Sequence, residues 1–388
     1  MLLSRVNIIG DRGPKDIRIR NEKIEEIAPE GSIIKQPGEL FLSFDAAIAF
    51  PGLINSHDHL DFNLFPQLGN RIYNSYREWG KDIQAVNKTE IARVLQIPLA
   101  LRVQWGIYKN LLNGITTVVN HGKPLAIQDK LITVHQKARS LHSPAFEKNW
   151  KFKINSPFIK NLPFVIHLGE GTDEKSGREV DSLIKWNIFK RRVIAIHGVA
   201  MSPKHASAFR ALIWCPASNY FLLNKTAPVS ALGEKLSIML GTDSTLTASW
   251  NIWEQLRLAR NEKMIPDEDL LKMLTRVPAK IWGLDLCGAI DTGKQADLVI
   301  ASGKSGMKAF DRFYSLNPED LLLVIHQGNM RMFDMDLMNQ IKRSDFSING
   351  FSKISVNGRI KYVEGDLPGL MNRIKKYYPA VVFPVSLP

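Results

Sequence analysis

Residues 47–62 read Ala-Ile-Ala-Phe-Pro-Gly-Leu-Ile-Asn-Ser-His-Asp-His-Leu-Asp-Phe, an apolar run that Pro-Gly interrupts and that ends on two histidines. On an extended strand, residues i and i+2 point to the same side, so His57 and His59 present two imidazoles on one face. Imidazole binds zinc, iron, nickel and copper. Two histidines two apart are a weak signal alone, because a mononuclear site needs three or four ligands. The remaining ligands have to come from elsewhere in the chain.

Three later apolar segments also end on groups that can bind or orient a metal. Residues 165–171 carry His167 and then Glu170, residues 193–198 carry His197, and residues 238–244 carry Asp243. In α/β barrels the active site lies at the carboxyl ends of the strands. The agreement of four strand ends predicts a single metal-dependent site. A serine hydrolase is less well supported, because the sequence contains no GxSxG motif.

Eight short apolar runs, separated by polar or helical segments, predict an α/β fold, a distorted (β/α)8 barrel. Besides the strand ending on His59, the runs are Thr116–Asn120, Leu131–Val134, Lys151–Asn155, Phe164–His167, Val193–His197, Ala211–Cys215 and Ser237–Leu240. Residues 116–167 have to hold four strands, which leaves little room for full crossovers. We therefore expect some outer helices in the middle of the barrel to be shortened or absent.

The length of the chain predicts a second, smaller unit. Its 388 residues exceed the ~250 of a typical barrel. Short strand-like segments precede the barrel, and similar strand-like segments occur after residue 285. We expect residues 1–45 and 287–365 to form one composite β-sandwich domain, residues 46–286 to form the barrel, and residues 366–388 to be a C-terminal extension.

An amphipathic helix is predicted between Ile91 and Leu112, where apolar residues recur at steps of three and four. Asn113-Gly114 ends it. Pro98 lies inside this pattern and removes one backbone donor, so a kink or a break is expected there. Because the apolar stripe resumes in phase beyond Pro98, a kink is favoured.

The motifs at the strand ends resemble the amidohydrolase superfamily, and specifically its mononuclear branch with the cytosine, adenosine and S-adenosylhomocysteine deaminases and the triazine hydrolases. The matching segments are Phe50-Pro-Gly-Leu-Ile-Asn-Ser-His-Asp-His59, Asn113-Gly-Ile-Thr-Thr-Val118, His167-Leu-Gly-Glu-Gly171, Ile196-His-Gly198, Cys215-Pro-Ala-Ser-Asn219, Gly241-Thr-Asp-Ser244 and Gly293-Lys-Gln-Ala-Asp-Leu-Val299. They occur in the family's order from about residue 45 to 300. Asn120-His121 departs from the family, which often has Asp at this place.

This resemblance implies a ligand set of His57, His59, His167 and Asp243 for one divalent ion, with Zn²⁺ expected first and Fe²⁺ as the alternative. Such an ion lowers the pKa of bound water. The catalytic residues would be Asp243, which aims that water, His197, which hydrogen-bonds the water or the developing oxyanion, and Glu170, which moves a proton to a ring nitrogen or leaving amine. The dinuclear alternative needs a carboxylated lysine after the fourth strand, for which Lys153 is the candidate.

Substrate contacts are predicted from Glu170, His197 and two further residues. Trp79, in the long loop after the two histidines, could stack on a flat ring, and His121 follows the second strand. Asn219 is interpreted as a residue that braces the loops. The histidines without a partner pattern are interpreted as structural or surface residues; they are His135, His142, His205 and His326.

Composition adds few constraints. The net charge is +13, but the lysines and arginines are scattered, with small clusters at 190–192 and 373–376, so nucleic acid is not expected as a partner. No window is apolar enough to span a membrane, and no membrane partner is expected. The two cysteines form no framework and no zinc motif. We expect a cytoplasmic homodimer that acts on a small molecule.

The predicted activity is metal-dependent hydrolysis of a non-peptide C–N bond in a small cyclic or heteroaromatic compound, with deamination first. Opening of a cyclic amide or imine, or displacement of another leaving group, stays open on the same scaffold, because the fold does not choose the substrate. The rival class is a non-catalytic basic binding protein. Glu170 and His197 argue against it, since an inert scaffold has no need of an acid–base pair.

Overall fold

The computed structural model describes residues 1–127, 130–157, 162–303 and 306–388. Its strands are β1 (Leu2–Ile8), β2 (Lys15–Arg20), β3 (Lys23–Pro29), β4 (Phe41–Pro51), β5 (Leu53–Asp58), β6 (Ile115–Asn120), β7 (Thr133–His135), β8 (Arg139–Leu141), β9 (Phe164–Leu168), β10 (Val193–His197), β11 (Ala211–Trp214), β12 (Ser237–Leu240), β13 (Leu298–Ala301), β14 (Leu321–His326), β15 (Asn329–Asp334), β16 (Phe351–Val356) and β17 (Arg359–Glu364). Its α-helices are α1 (Tyr76–Val86), α2 (Lys88–Leu95), α3 (Leu99–Leu112), α4 (Trp150–Ile154), α5 (Glu174–Trp186), α6 (Pro216–Leu223), α7 (Val229–Gly233), α8 (Ile252–Asn261), α9 (Asp267–Lys272), α10 (Arg276–Trp282), α11 (Ala309–Tyr314), α12 (Met338–Ile341) and α13 (Leu367–Tyr377).

Eight parallel strands, β5 to β12, form the predicted distorted barrel. They occur as two sheets, β5-β6-β7 and β8-β9-β10-β11-β12. The first and last strands approach each other where the amide of Asp243 donates to the carbonyl of His57 at 3.0 Å. Within the described residues no ladder joins β7 to β8, and each of these strands has only three residues. The barrel is therefore least regular in its middle, as expected.

The fourth strand is not where the sequence predicts it. Residues 151–155 were expected to form a strand, but most of them belong to helix α4, and the strand beside β9 is β8. Trp150 and Ile154 are both buried, and their spacing of four residues places them on one face of a helix. The sequence Lys-Phe-Lys-Ile alternates like a strand, but Phe152 is 81% exposed, so this alternation does not correspond to burial.

Pro98 breaks the predicted helix instead of kinking it. Helix α2 ends at Leu95 and α3 begins at Leu99, with Pro98 immediately before it at φ −50° and ψ 136°. That conformation is extended, and a proline tolerates it because its missing N–H is not needed at a helix start. Gly114 follows α3 at φ +80°, a conformation that glycine adopts without a steric penalty.

The remaining strands form a nine-stranded sheet from both ends of the chain, in the order β16-β17-β15-β14-β13-β4-β1-β2-β3. The two ends meet where β4 pairs antiparallel with β13. Along β13, Leu298 and Ile300 pack into the sheet's own core, whereas Val299 and Ala301 pack into the barrel core. This alternation with period two connects the sheet to the barrel.

The stretch that carries the two histidines passes directly from this sheet into the barrel. Strand β4 runs without interruption to Pro51, and β5 begins at Leu53. A Cβ atom on Gly52 would lie 2.2 Å from Oγ1 of Thr116, so only glycine fits between the two strands. The domain boundaries at residues 45, 286 and 365 stay predictions.

The C-terminal residues pack on α3. The hydroxyl of Tyr108 donates to the carbonyl of Glu364 at 3.0 Å, and the ring centroids of Trp105 and Phe383 are 4.8 Å apart. Among the described residues, no helix has both the length and the apolar character that crossing a membrane requires.

Candidate active site

The predicted ligands and His197 lie at the carboxyl ends of four barrel strands. His57 is near the end of β5 and His59 follows that strand, His167 is the second-to-last residue of β9, and Asp243 comes shortly after β12. His197 is the last residue of β10. The strands of a parallel barrel end at the same face, so residues far apart in sequence meet there. The structure brings all five side chains together.

The ligand atoms converge on one space. Nε2 of His59 and Nε2 of His167 are 3.4 Å apart, and Nε2 of His57 is 3.7 Å from Oδ1 of Asp243. Two groups, His57 with His59 and His167, and His57 with His197 and Asp243, each have their ligand atoms within 4.8 Å of one another. This donor set of imidazoles and one carboxylate suits a divalent ion.

His57 provides the sharpest test of that fit. Its side chain is buried, and neither ring nitrogen has a hydrogen-bond partner among the described residues. Buried polar atoms in folded proteins are nearly always satisfied. A divalent ion, bound by His57 together with the three other candidate ligands, would satisfy this imidazole.

In His167 and His197, the hydrogen bond made by Nδ1 determines the tautomer of the ring. Nδ1 of His167 is 2.7 Å from the carbonyl oxygen of His142, and Nδ1 of His197 is 2.9 Å from Oδ1 of Asn219. Both oxygens only accept, so Nδ1 carries the proton in each ring. The lone pair on Nε2 is then directed at the site. Asn219, which was expected to brace loops, thus orients His197.

The carboxylate of Asp243 is held by three hydrogen bonds. Its Oδ2 accepts from the hydroxyls of Ser218 at 2.9 Å and Thr247 at 3.1 Å, and its Oδ1 accepts from the amide of Ser244 at 2.8 Å. Oδ1 is the oxygen that faces His57. The carboxylate is therefore fixed in orientation, with one oxygen braced and the other directed at the metal ligands.

The charge of Asp243 is also favoured by its surroundings. Burial by itself would raise its pKa, but the nearby His59 and His197 and the hydrogen bonds to the carboxylate bring the pKa below the ordinary value. Both Asp243 and His197 have positive φ angles, +56° and +70°. Such backbone strain in residues other than glycine is typical of functional sites.

Glu170 and His197 form the predicted acid–base pair. Oε2 of Glu170 is 3.6 Å from Nε2 of His197. Burial, together with the charges of Asp243 and Glu179, raises the pKa of Glu170 well above its ordinary value. Burial also lowers the pKa of His197, although Asp243 and Asn219 oppose this effect. The arrangement favours a neutral carboxylic acid facing a neutral imidazole, the state that a proton donor needs.

A cavity of about 590 Å³ opens above these groups. His59, His167, Glu170, His197 and Asp243 line one side of it. The other walls are mainly apolar and aromatic, with Phe62, Tyr76, Trp79, Ile83, Phe146 and Leu246. This combination of apolar walls and a few convergent polar groups is typical of small-molecule sites.

Trp79 lies in the cavity wall, on helix α1 and not in a loop as predicted, and its indole N–H donates to the carbonyl of Leu68 at 2.6 Å. With the N–H satisfied, the ring is held in place and its surface is available to a ligand. Its stacking on substrate stays a prediction. Tyr76 and Phe146, whose ring centroids are 5.4 Å apart, were missed because neither has a sequence pattern of its own.

Two further histidines lie beside the ligands. His121 is buried, its ring centroid is 4.5 Å from that of His167, and neither of its nitrogens has a partner among the described residues. It does not belong to the cavity lining, so its substrate contact stays a prediction. His142, interpreted as structural or surface, instead lines the cavity, because the unpredicted strand β8 ends beside it.

The candidate for a dinuclear site is in the wrong place. Lys153 lies on α4 with its side chain about half exposed, and it pairs with Glu147 at 2.7 Å. It does not line the cavity. His205 and His326 pair with Asp181 and Asp297 at 3.2 and 3.0 Å, consistent with structural roles.

A buried ion pair, which the sequence did not predict, lies behind the ligands. Nζ of Lys109 is 3.1 Å from Oδ2 of Asp58, the residue between the two histidines of β5. The same ammonium donates to the hydroxyl of Thr242 at 3.1 Å and to the carbonyl of Asp243 at 3.4 Å. Lys109 therefore contacts the backbone of the proposed ligand Asp243. It also contacts the side chain of Asp58, which lies between the proposed ligands His57 and His59.

Comparison with known proteins agrees with this geometry. Residues 159–331 match the model of the amidohydrolase family. The 5-methylthioadenosine/S-adenosylhomocysteine deaminase of Pyrococcus furiosus is 25% identical over 355 residues, which covers 74% of this chain and 81% of that protein. An adenosine deaminase from Xanthomonas campestris with bound zinc has a TM-score of 0.66 at 17% identity, covering 88% of this chain and 96% of that one.

An atrazine chlorohydrolase from Arthrobacter aurescens TC1, complexed with zinc, has a TM-score of 0.65 at 16% identity and covers 88% of this chain and 98% of that one. At this level of identity the structural likenesses show the fold. With the family model over residues 159–331 and the curated relative, they confirm the resemblance found in the sequence motifs: the chain is similar to the amidohydrolase family.

Proposed function

We propose that this protein is a mononuclear metal-dependent hydrolase that removes an amino group from a flat heteroaromatic substrate. The observation that carries the proposal is the single cavity that brings candidate metal ligands and a buried Glu170–His197 pair together. Either feature alone occurs in structural sites. Their combination supports hydrolysis, because it supplies both a metal site and a group that can move a proton.

His57, His59, His167 and Asp243 would hold the ion. Zinc is proposed because imidazole and carboxylate ligands suit it and because the deaminase from Xanthomonas campestris contains it. When bound, a divalent ion supplies a water nucleophile at neutral pH by lowering the pKa of that water. The exposed position of Lys153 supports one ion in place of two.

Asp243 would orient the nucleophilic water. The hydroxyls of Ser218 and Thr247 hold its Oδ2, so the direction of its Oδ1 cannot drift. A carboxylate whose pKa is held down stays ionised and can accept a hydrogen bond from water. His197, with its proton on Nδ1, presents Nε2 as an acceptor on the same side of the cavity.

Glu170 would move the proton. Its burial favours the protonated carboxyl, which can donate to a ring nitrogen of the substrate as the ring carbon is attacked. The carboxylate formed can then take a proton from the nucleophilic water and pass it to the departing amine. As the C–N bond breaks and ammonia leaves, the oxygen that came from water becomes the product carbonyl, and its remaining proton returns to Glu170.

The cavity walls support a planar substrate. Trp79, Tyr76 and Phe146 present aromatic rings, and offset or edge-on packing of rings is favourable by about 0.5–1.5 kcal/mol per pair. The curated relative is named for 5-methylthioadenosine and S-adenosylhomocysteine, so we propose 6-aminopurine nucleosides as the first substrates to test. Aminotriazines and cyclic amides belong in the same screen.

A cytoplasmic homodimer is also part of the proposal. Light scattering, which measures the mass of the protein in solution, tests whether it is a dimer.

The test is an ammonia-release screen with zinc-loaded protein, alongside chloride release for halogenated triazines. We expect ammonia from at least one purine, pyrimidine, pterin or triazine amine, and loss of the signal after chelation of the metal. Metal-loaded protein that releases no ammonia from any of these compounds would overturn the proposal.

A further inference from the structure

A basic, aromatic patch lies outside the site described above. We name it the basic-aromatic surface and define it as residues 151–157 and 185–192. These two segments contain six lysines and arginines and no aspartate or glutamate, in a chain whose total net charge is +13. Lys153 pairs with Glu147. The other five basic residues form no ion pair with any residue that the structure describes; they are Lys151, Lys185, Lys190, Arg191 and Arg192.

Direct contacts join the two segments into one surface. The side chain of Asn155 donates to the carbonyl of Trp186 and accepts from the amide of Ile188 at 3.1 Å. Nζ of Lys151 lies 4.3 Å from the ring centroid of Trp186. Arg191 donates to the carbonyl of Ser156 at 2.8 Å. The charges of one segment therefore lie beside the aromatic residues of the other.

The apolar side chains of this surface point into solvent. Phe152 is 81% exposed and Ile188 is 65% exposed, and Trp186 and Phe189 are also exposed. The guanidinium of Arg191 lies 5.3 Å from the ring centroid of Phe189. Single exposed apolar residues are ordinary, but an apolar group concentrated among cations suggests an interaction site.

The basic-aromatic surface lies away from the cavity. Residues 187–192 lead into the amino end of β10, whereas His197 ends the same strand. A strand rises about 3.3 Å per residue, so the four steps from Val193 to His197 separate the two ends of β10 by roughly 13 Å. A partner bound at the amino ends of the strands would leave the cavity mouth open.

The charge and the exposed side chains of the basic-aromatic surface distinguish between three candidate partners: a second copy of the chain, a nucleic acid and an anionic lipid surface. A second copy of the chain is disfavoured, because it would place six cations against six more. A nucleic acid would match the charge and could stack on aromatic rings, but Ile188 has no ring to stack. An anionic lipid surface matches every component, since lysine and arginine contact the headgroups while Phe, Trp and Ile enter the interface.

We propose that the basic-aromatic surface docks the protein reversibly on membranes that contain anionic lipid. From the sequence, no membrane partner was expected, because the chain contains no segment that could span a bilayer. Docking needs no such segment: each lysine or arginine near an anionic surface contributes about 1 kcal/mol. The inference does not depend on the proposed deamination.

The test is vesicle sedimentation of the full chain with phosphatidylcholine alone and with phosphatidylcholine plus phosphatidylserine. We expect binding only to the anionic vesicles and weaker binding as salt is raised. Lys185→Glu/Lys190→Glu/Arg192→Glu should weaken binding about 100-fold, since three favourable contacts of about 1 kcal/mol are lost. Phe152→Ser/Ile188→Ser should weaken it roughly 10-fold through lost apolar burial.

The exposed cluster on α13 provides a matched control with the same change of charge. Arg373→Glu/Lys375→Glu/Lys376→Glu should retain tight vesicle binding, and thermal unfolding shows whether each variant is folded. No binding of the native chain to anionic vesicles, or equal losses in the two charge variants, would overturn the proposal. Tighter retention on single-stranded DNA than on vesicles, sensitive to the same residues, would overturn it in favour of a nucleic acid.

Discussion

Two buried lysine–aspartate pairs, one in the barrel and one in the terminal sheet, share their chemistry but differ in their neighbours. In the barrel, Lys109 pairs with Asp58 at 3.1 Å; in the sheet, Lys361 pairs with Asp334 at 2.7 Å. Lys361 also donates to the backbone carbonyls of Glu319 and Leu321, both at 2.6 Å. All four charged side chains are at most 1% exposed.

The difference lies in what each lysine holds in place. Lys109 contacts the carbonyl of Asp243 and the side chain between His57 and His59, whereas Lys361 connects strands of the sheet. Removal of one partner from a buried pair costs about 3–5 kcal/mol of stability, because the other charge is left uncompensated. A buried ion pair is thus a stability feature wherever it occurs, and its neighbours decide whether it also serves the site.

The largest effect is expected from His59→Ala in the barrel compared with His326→Ala in the sheet. His59→Ala removes a proposed ligand, so metal and activity should both be lost. His326, bonded to Asp297 at 3.0 Å, is buried but remote from the cavity. Its variant should lose stability and keep the metal. Elemental analysis of both variants checks this, and full metal content in folded His59→Ala would contradict the ligand assignment.

Glu170→Gln should come next in size. The amide keeps the shape of the carboxyl but cannot carry the proton, so turnover should fall about 10²–10⁴-fold. Metal content and unfolding temperature should stay close to those of the native chain, because Glu170 is not a proposed ligand. Steady-state kinetics with parallel metal analysis measures the effect. Near-native turnover would remove Glu170 from the mechanism while leaving the metal site intact.

The two lysine pairs themselves provide the third prediction. Lys109→Met and Lys361→Met should each lower the free energy of unfolding by about 3–5 kcal/mol. Only Lys109→Met should also weaken zinc affinity, by about 10–100-fold, since it releases groups that orient the ligands. Competition with a chelator measures affinity, and denaturant unfolding of the metal-free proteins measures stability. Equal zinc affinities in the two variants would mean that Lys109 is only structural.

The smallest effect is expected at the cavity wall. Trp79→Ala should raise KM by about 3–10-fold with little change in kcat, if the indole packs on the substrate ring. Phe333, stacked on Tyr362 with centroids 5.0 Å apart, is the matched aromatic pair in the sheet. Phe333→Ala should lower stability and leave KM unchanged. A fall in kcat alone for Trp79→Ala would place the indole outside the binding surface.

The proposed ligands and His197 could be predicted from sequence because they lie at or just after the ends of four barrel strands. His57, His59, His167, His197 and Asp243 follow apolar runs, and the geometry of a parallel barrel brings such ends together without knowledge of any contact. The conformation of the stretch from Ala47 to His59 likewise follows from its own residues. These are the apolar residues, a glycine that alone fits beside Thr116, and two histidines on one face. Local signals were sufficient there.

The supporting residues could not be predicted, because their roles depend on distant partners. Lys109 is 51 residues from Asp58, and Asn219 is 22 residues from His197, so no local pattern connects either pair. The misplaced fourth strand had a different origin. The alternation around Phe152 mimics a half-buried strand, whereas the spacing of Trp150 and Ile154 is helical. His142 was missed with it, since it follows the strand that was not recognised.

The most direct test of the proposed function is titration of metal-free protein with zinc while ammonia release is followed from the best substrate of the screen. We expect activity to rise linearly with added zinc and to stop rising at about one ion per chain, as four ligands around one space require. Ammonia release that is complete without metal, or that begins only beyond one ion per chain, would contradict a mononuclear metal-dependent deaminase.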